Sequence, residues 1–295
     1  MNDEQLNDMA TRGGFIAALD QSGGSTPKAL ALYGIPEDAY GNDKQMFDLM
    51  HEMRSRLILS PSFASEKILA TILFEQTMDR TINGEDTAAF LWKQKNIVPF
   101  VKVDEGLAEA RYGVQLMKPM TRIDALLERA GEKGVFGTKM RSFIQEPNKG
   151  GIDAIVSQQF DCAAKIAEHG LMPIIEPEVS ITSPDKPTAD NLLVEALHDK
   201  LDELPDDRQV MLKLTLPDED NLYASLIDHP RVLRVVALSG GYSLEQSVEI
   251  LARNHRLIAS FSRALTEGLT ADQTDADFDD KVKANVDEIY EASVT

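Results

Sequence analysis

Short apolar runs that end in a charged or polar residue recur along the whole chain. They are FIAALD (15–20), ILATILFEQ (68–76), IVPFVKVD (97–104), VFGTKMR (135–141), LMPIIEPEV (171–179), VMLKLTL (210–216), VLRVVALS (232–239) and LIASFSR (257–263). Each has the length of a buried strand. Stretches with helical periodicity lie between most of them, such as IDALLERAGEKG, IVSQQFDCAAKIAEHG and LEQSVEILARN. Two of these close on a glycine just past the last apolar position, Gly134 and Gly170, the signature of a helix C-terminus. Eight strands alternating with helices predict a parallel sheet with crossovers, and eight is the number that closes a (β/α)₈ barrel. An open doubly wound sheet is the competing α/β fold. It usually carries GxGxxG or GxxxxGK[ST], and neither motif is present. The segment TSPDKPTAD (182–190) is the best candidate break, but strand-like runs continue on both sides. It therefore reads as a βα loop, and 1–295 reads as one barrel domain.

The polar residues at the run ends are regularly placed. Lys102, Lys139, Glu176 and Lys213 are 37 residues apart each time, and Asp104, Arg141, Glu178 and Thr215 repeat the step. Positions i and i+2 share a face of a strand, so four successive strands present a polar pair near their C-terminal ends. With Asp20, Glu75 and Arg263 added, ten charges terminate runs that should be apolar throughout in a sheet covered by helices. Unpaired buried charge is costly. In a barrel these ends converge on one mouth, where active sites of the fold lie. Lys213 sits inside the apolar strand MLKLTLP, where desolvation favours a neutral amine, and repulsion from Lys139 and Lys102 acts the same way. A neutral amine attacks a carbonyl and forms a Schiff base. Glu176 can shuttle the protons of that sequence, and Asp20 can take a proton from a substrate hydroxyl. A structural ion pair of Lys213 with Glu176 or Glu178 is the alternative, and spacing alone does not separate the two. Ser239-Gly240-Gly241 follows the seventh run, and Ser262 and Arg263 end the eighth, a usual place for phosphate. Gln21-Ser22-Gly23-Gly24-Ser25, near Lys102, offers a second anion site. Together they describe a substrate with an anion at each end and a carbonyl between.

Composition narrows the partners. Lys plus Arg number 30 against 49 Asp plus Glu, a formal charge of −19. Such a surface repels nucleic acid, so an anionic substrate must be held by a few local cations. No segment reads as a secretory signal or membrane span, which points to the cytoplasm. Cys162 is the single cysteine, so no intramolecular disulfide or cysteine zinc site forms. His51, His169, His198, His229 and His255 lack metal-ligand spacing, so no histidine metal site is expected. Met46, Met50 and Met53 are spaced as one buried face of a helix. DADFDDKVK, from Asp275, reads as a solvated helix start, and Tyr290 as helix packing.

At FIAALDQSGGSTPKAL, ILFEQTMDR, VPFVKVDEGL, GVQLMKP, FGTKMRS, PIIEPEV, VMLKLTLP, LSGGYS and ASFSRAL the chain resembles the class I fructose-bisphosphate aldolases of the shorter bacterial type. The resemblance covers essentially the whole chain. It implies a (β/α)₈ barrel and a glycolytic and gluconeogenic lyase. Such an enzyme cleaves fructose 1,6-bisphosphate reversibly through a lysine Schiff base, without metal. By motif, it makes Lys213 the Schiff-base lysine, Glu176 the acid/base with Glu178 beside it, and Asp20 the group assisting C–C cleavage. Lys139 is then the lysine beside the nucleophile, and Arg141 the arginine near one phosphate. Ser239, Gly240, Ser262 and Arg263, with Gly241 next to them, match the 1-phosphate site; Ser22, Ser25 and Lys102 match the region of the 6-phosphate. Two departures stand out. The longer animal members end in a tyrosine that takes part in proton transfer, whereas this sequence ends YEASVT and Tyr290 is the nearest substitute. DQSGGS lacks the acidic residue that follows the aspartate in longer members, which bears on hexose selectivity. The alternatives are a Schiff-base aldolase for another ketose phosphate, such as tagatose bisphosphate, and a non-catalytic acidic barrel that binds a partner. Oligomeric state stays open, and a homo-oligomer is compatible with the sequence.

Overall fold

The computed structural model describes residues 2–295. Among them, eight parallel strands close into a ring: β1 (Phe15–Leu19), β2 (Ile68–Leu73), β3 (Val98–Lys102), β4 (Gly137–Ile144), β5 (Met172–Val179), β6 (Val210–Thr215), β7 (Val232–Leu238) and β8 (Ile258–Phe261). The order is β3-β2-β1-β8-β7-β6-β5-β4, and β3 pairs with β4 to shut the ring. All eight apolar runs are strands, and helices lie between them.

Alternation along the strands sorts the core into two parts. Inward residues such as Ile16, Ala18, Val98, Phe100, Met172, Ile174, Met211, Val236 and Ile258 form one apolar cluster inside the ring. Outward residues such as Phe15, Ala17, Leu19, Leu212, Leu214, Ala237 and Phe261 belong to a larger cluster under the helices. Met46, Met50 and Met53 are buried in that outer layer, on the helix Asp43–Leu59. The fully buried Met9, on the helix Asp3–Thr11, joins the inner cluster, so this helix plugs the N-terminal end of the ring. Its burial contributes about 1.5–3 kcal/mol.

Local signals explain most element ends. Gly134 and Gly170 adopt φ of 76° and 74°. Beyond them the Val135 and Leu171 N–H groups reach back to Ala130 and Ile166, the closing pattern of a Schellman cap. The C-terminal helix Asp275–Ser293 starts behind Thr274, whose hydroxyl accepts from Asp277 N–H at 3.2 Å. Three details differ from expectation. First, β4 runs three residues past Arg141 because Val114–Gln115 pairs antiparallel with Phe143 and Ile144. Second, half of the 182–190 segment is helix: Asp185 caps the helix Lys186–Asp202, with a proline in its first turn. Third, a two-residue hairpin, Thr81–Ile82 with Glu85–Asp86, turns through Asn83 and Gly84 at φ 52° and 80°. Asn-Gly is the usual pair for such a turn.

Candidate active site

The inner apolar layers end in charge one strand period further on. Two residues beyond Ala18, Phe100, Gly137, Ile174 and Met211 stand Asp20, Lys102, Lys139, Glu176 and Lys213. The strand pleat therefore aims these side chains into the C-terminal mouth of the barrel. The constant 37-residue interval matches register on two of three strand pairs: Lys102 lies opposite Lys139, and Ile175 opposite Leu212. Between β4 and β5 the register is offset by two, with Arg141 opposite Glu176. Nine of the ten run-end charges line one cleft of about 510 Å³; Glu75 does not. It sits on the short helix Glu75–Met78, bound by Arg129 at 2.5 Å.

Four groups in the cleft form a continuous charge chain. Lys213 Nζ is 3.1 Å from Glu176 Oε1, Glu176 Oε2 is 2.9 Å from Lys139 Nζ, and Lys139 Nζ is 2.6 Å from Asp20 Oδ2. Lys213, Glu176 and Lys139 are at most 4 % exposed. The neighbour nearest Lys213 is thus a carboxylate, where the sequence suggested a crowd of cations. Burial opposes charge on Asp20, yet Lys139, then Lys213 and Lys102, override it and hold the carboxyl well below the usual carboxylate range. Burial also opposes charge on Lys139, and Asp20, Glu176 and Asp104 outweigh it, so its amine is held far above the ordinary lysine value. Lys139 is a fixed cation tying two carboxylates together.

A second tier lies just above. Lys102 donates to Asp104 Oδ1 at 2.5 Å, and Asp104 also accepts from the Arg141 and Gly106 N–H groups. Arg141 donates through Nε to Glu178 at 2.5 Å, and this bond leads the forces that outweigh burial and raise its guanidinium. Thr215 faces elsewhere: its hydroxyl donates to the Val179 carbonyl at 2.7 Å and ties β6 to β5.

Both glycine loops open on the same cleft. Ser239 is buried, and Gly240 and Gly241 take φ of 65° and 129°. A Cβ on Gly240 would come within 2.6 Å of Ile181, so that position needs glycine. Arg263, exposed, stands beside Gly241. The helix Leu244–Ala252 does not share its N-terminus with this loop. Ser243 and Gln246 form a capping box there, and Leu244 N–H donates to Glu267. In the first loop the Ser25 hydroxyl is engaged by Ser22, donating to its carbonyl at 2.9 Å and accepting from its N–H at 3.0 Å. The Ser22 side chain lines the cleft with Gln21.

Several lining or supporting groups escaped the sequence reading. Lys28, on the helix Thr26–Leu32, lines the cleft beside Ser22 and Ser25. Ser260 lines it two residues before Ser262, and the strand period was the available signal. Gln159, fully buried, accepts from the Glu176 N–H and donates to Ser142, bracing β5 against β4; nothing local in sequence marks it. Tyr290 is far from the mouth. It packs near Lys67, which precedes β2 at the opposite end of the barrel, so it does not replace the tail tyrosine.

Relatives of known identity carry the same chain-wide pattern. Residues 3–215 match the family described as fructose-bisphosphate aldolase class-I. A fructose-bisphosphate aldolase class 1 of Synechocystis is 58 % identical over 100 % of this chain and 98 % of that protein. One of Clostridium acetobutylicum is 56 % identical over 100 % of both. The solved fructose-bisphosphate aldolase of Plasmodium falciparum superposes with a TM-score of 0.75 at 19 % identity, covering 99 % of this chain and 94 % of that one, a likeness of fold. The chain belongs to the class I fructose-bisphosphate aldolase family.

Proposed function

We propose that residues 1–295 act as one catalytic domain, a lyase that cleaves fructose 1,6-bisphosphate reversibly to dihydroxyacetone phosphate and glyceraldehyde 3-phosphate. The observation that carries this is the Lys213–Glu176–Lys139–Asp20 chain at the mouth of the barrel, with contacts of 3.1, 2.9 and 2.6 Å. Glu176 takes the proton of the Lys213 amine, which then adds to the C2 carbonyl of the open-chain sugar. The same carboxyl returns that proton to the C2 oxygen, then takes a second proton from the adduct nitrogen and passes it to the resulting hydroxyl, which departs as water and leaves a protonated imine. Asp20, kept ionised by Lys139, removes the proton of the C4 hydroxyl. The C3–C4 bond then breaks, its electrons flow into the iminium, and the aldehyde leaves. The enamine on Lys213 takes a proton at C3, and water hydrolyses the imine to release dihydroxyacetone phosphate. The protonated imine is the electron sink, so the scheme needs no metal or organic cofactor.

Ser239, Gly240, Gly241, Ser262 and Arg263 hold the 1-phosphate in this reading. Ser22, Ser25 and Lys102 hold the 6-phosphate with Lys28, and Arg141 lies beside one of them. Two fixed anions orient the reacting carbons, so remote binding energy serves the chemical step. The reading includes a cytoplasmic setting. Among the described residues, no helix is long and apolar enough to cross a membrane.

Borohydride added with dihydroxyacetone phosphate tests the assignment. A three-carbon adduct on Lys213 is expected, together with cleavage of fructose 1,6-bisphosphate undiminished by a chelator. An adduct on another lysine, or none, overturns it. Rates on epimeric hexose bisphosphates separate fructose from tagatose bisphosphate.

A further inference from the structure

Arg54 is a charged side chain that the scheme above does not use. It projects from the helix Asp43–Leu59 into the protein interior, 2 % exposed. Among the described residues no carboxylate lies within ion-pair distance of it, and its Nε has no acceptor. A buried guanidinium without a counter-ion is costly to keep. Burial drives its pKa down to about 9, with the more distant Asp20 carboxylate opposing the fall and Arg80 adding to it.

Its bonds lead to the candidate phosphate loop. Nη1 donates to Thr77 Oγ1 at 2.7 Å. Nη2 donates to the Gln21 carbonyl at 2.6 Å and to Gln21 Oε1 at 3.2 Å. Gln21 Nε2 in turn donates to Ser262 Oγ at 2.6 Å. The direction of this relay is fixed chemically. Guanidinium can only donate, so it holds the carbonyl end of the Gln21 amide and leaves the NH₂ end facing Ser262. A serine hydroxyl has one proton and two lone pairs. With a lone pair taken by Gln21, the Ser262 proton is left for another acceptor in the cleft.

We propose that Arg54 is a positioning residue for the substrate's 1-phosphate: through Gln21 it sets the Ser262 hydroxyl as a donor to that anion and anchors the β1 loop to the β8 loop. The inference rests on the reading of the β8 loop as a phosphate subsite. It also gives Gln21 a reason to be neutral. A carboxylate there would accept from both sides, turn the Ser262 proton away from the substrate and cancel the Arg54 charge.

The test measures inorganic phosphate affinity by phosphorus NMR and steady-state kinetics on fructose 1,6-bisphosphate, for Arg54→Met, Ser262→Ala and the double variant. Arg54→Met is expected to weaken phosphate binding and raise KM about tenfold, with a smaller change in kcat, the size of losing one hydrogen bond to a charged group. In the Ser262→Ala background the same change should cost less than about twofold, because the relay then has no end. Phosphate affinity within about twofold of wild type in Arg54→Met, or an undiminished tenfold loss in the double variant, overturns the proposal. If Arg54→Met does not fold, Gln21→Leu breaks the relay at a half-buried position; a similar tenfold loss supports the proposal and an unchanged affinity overturns it. Wild-type protein that binds phosphate but cleaves nothing would sink the aldolase reading, while the titration would still judge the relay.

Discussion

One carboxylate serves two ammonium groups. Glu176 contacts Lys213 with one oxygen and Lys139 with the other, and Lys139 also holds Asp20. The two lysines therefore play different parts despite similar burial. Lys213 touches one carboxylate, whereas Lys139 touches two and is held charged by them. Replacing Lys213 with Met should abolish the borohydride adduct and cut cleavage by about 10⁴-fold, measured in a coupled assay. Replacing Lys139 with Met should cost about 10²-fold. It should also move the acid limb of the pH profile upward. Lys139 is the first of the cations that depress Asp20, and without it Asp20 and Glu176 face each other as like charges. Titrating kcat/KM against pH in this variant reads the shift directly.

At the scale of elements, closure of the barrel depends on a missing side chain. Gly137 opens β4, and a Cβ there would stand 2.2 Å from the Met172 carbonyl oxygen and 2.6 Å from the Phe100 ring. Gly137→Ala should therefore destabilise the protein by about 1–3 kcal/mol in urea unfolding, through overpacking of β4 against β5 and β3. The helix Lys186–Asp202 carries a different strain. Asp190 is buried beside Lys186 at 2.6 Å, with its second oxygen unpartnered. Burial raises its pKa to about 6, Lys186 opposing and Asp218 reinforcing the rise. A raised carboxylate contributes stability that is present below the unfolded pKa and lost as pH rises through the folded one. The loss should fall between about pH 4 and 6 and total about 3 kcal/mol. Asp190→Asn should remove that dependence, so its stability difference from wild type grows from pH 4 to 6 and is flat above. Sequence alone marked this stretch as a loop, because Pro184 and Pro187 resemble loop punctuation. The second of these occupies the first helical turn, where proline is tolerated.

Over the whole molecule, the sign of charge reverses between surface and cleft. The chain carries −19, yet six cations against four carboxylates line the cleft. Long-range forces repel an anionic sugar, so capture depends on short-range contacts inside the mouth, where screening by salt is weak. The acidic surface should give a solubility minimum near the sequence isoelectric point of about 4.6, read by turbidity against pH. Soluble behaviour down to pH 4 would contradict it. The same charge predicts no retention of duplex DNA at physiological salt in a mobility-shift experiment.

The order of apolar runs, their length and their charged ends determined the barrel and most of its mouth. Asp20, Lys102, Lys139, Glu176 and Lys213 were legible because strand alternation fixes which side of a strand a residue faces, and that is a local property. Register and partner choice are set by ring closure, and only the tertiary structure decided them. It placed Glu176 between two lysines, gave Glu75 to Arg129 outside the cleft, and sent Tyr290 to the far end. Gln159 and Arg54 were invisible for the same reason. Each lies on a helix whose sequence neighbours show nothing of the strand or loop it supports. A hydrogen bond between residues distant in sequence depends on how the elements pack, and no short stretch of sequence records it.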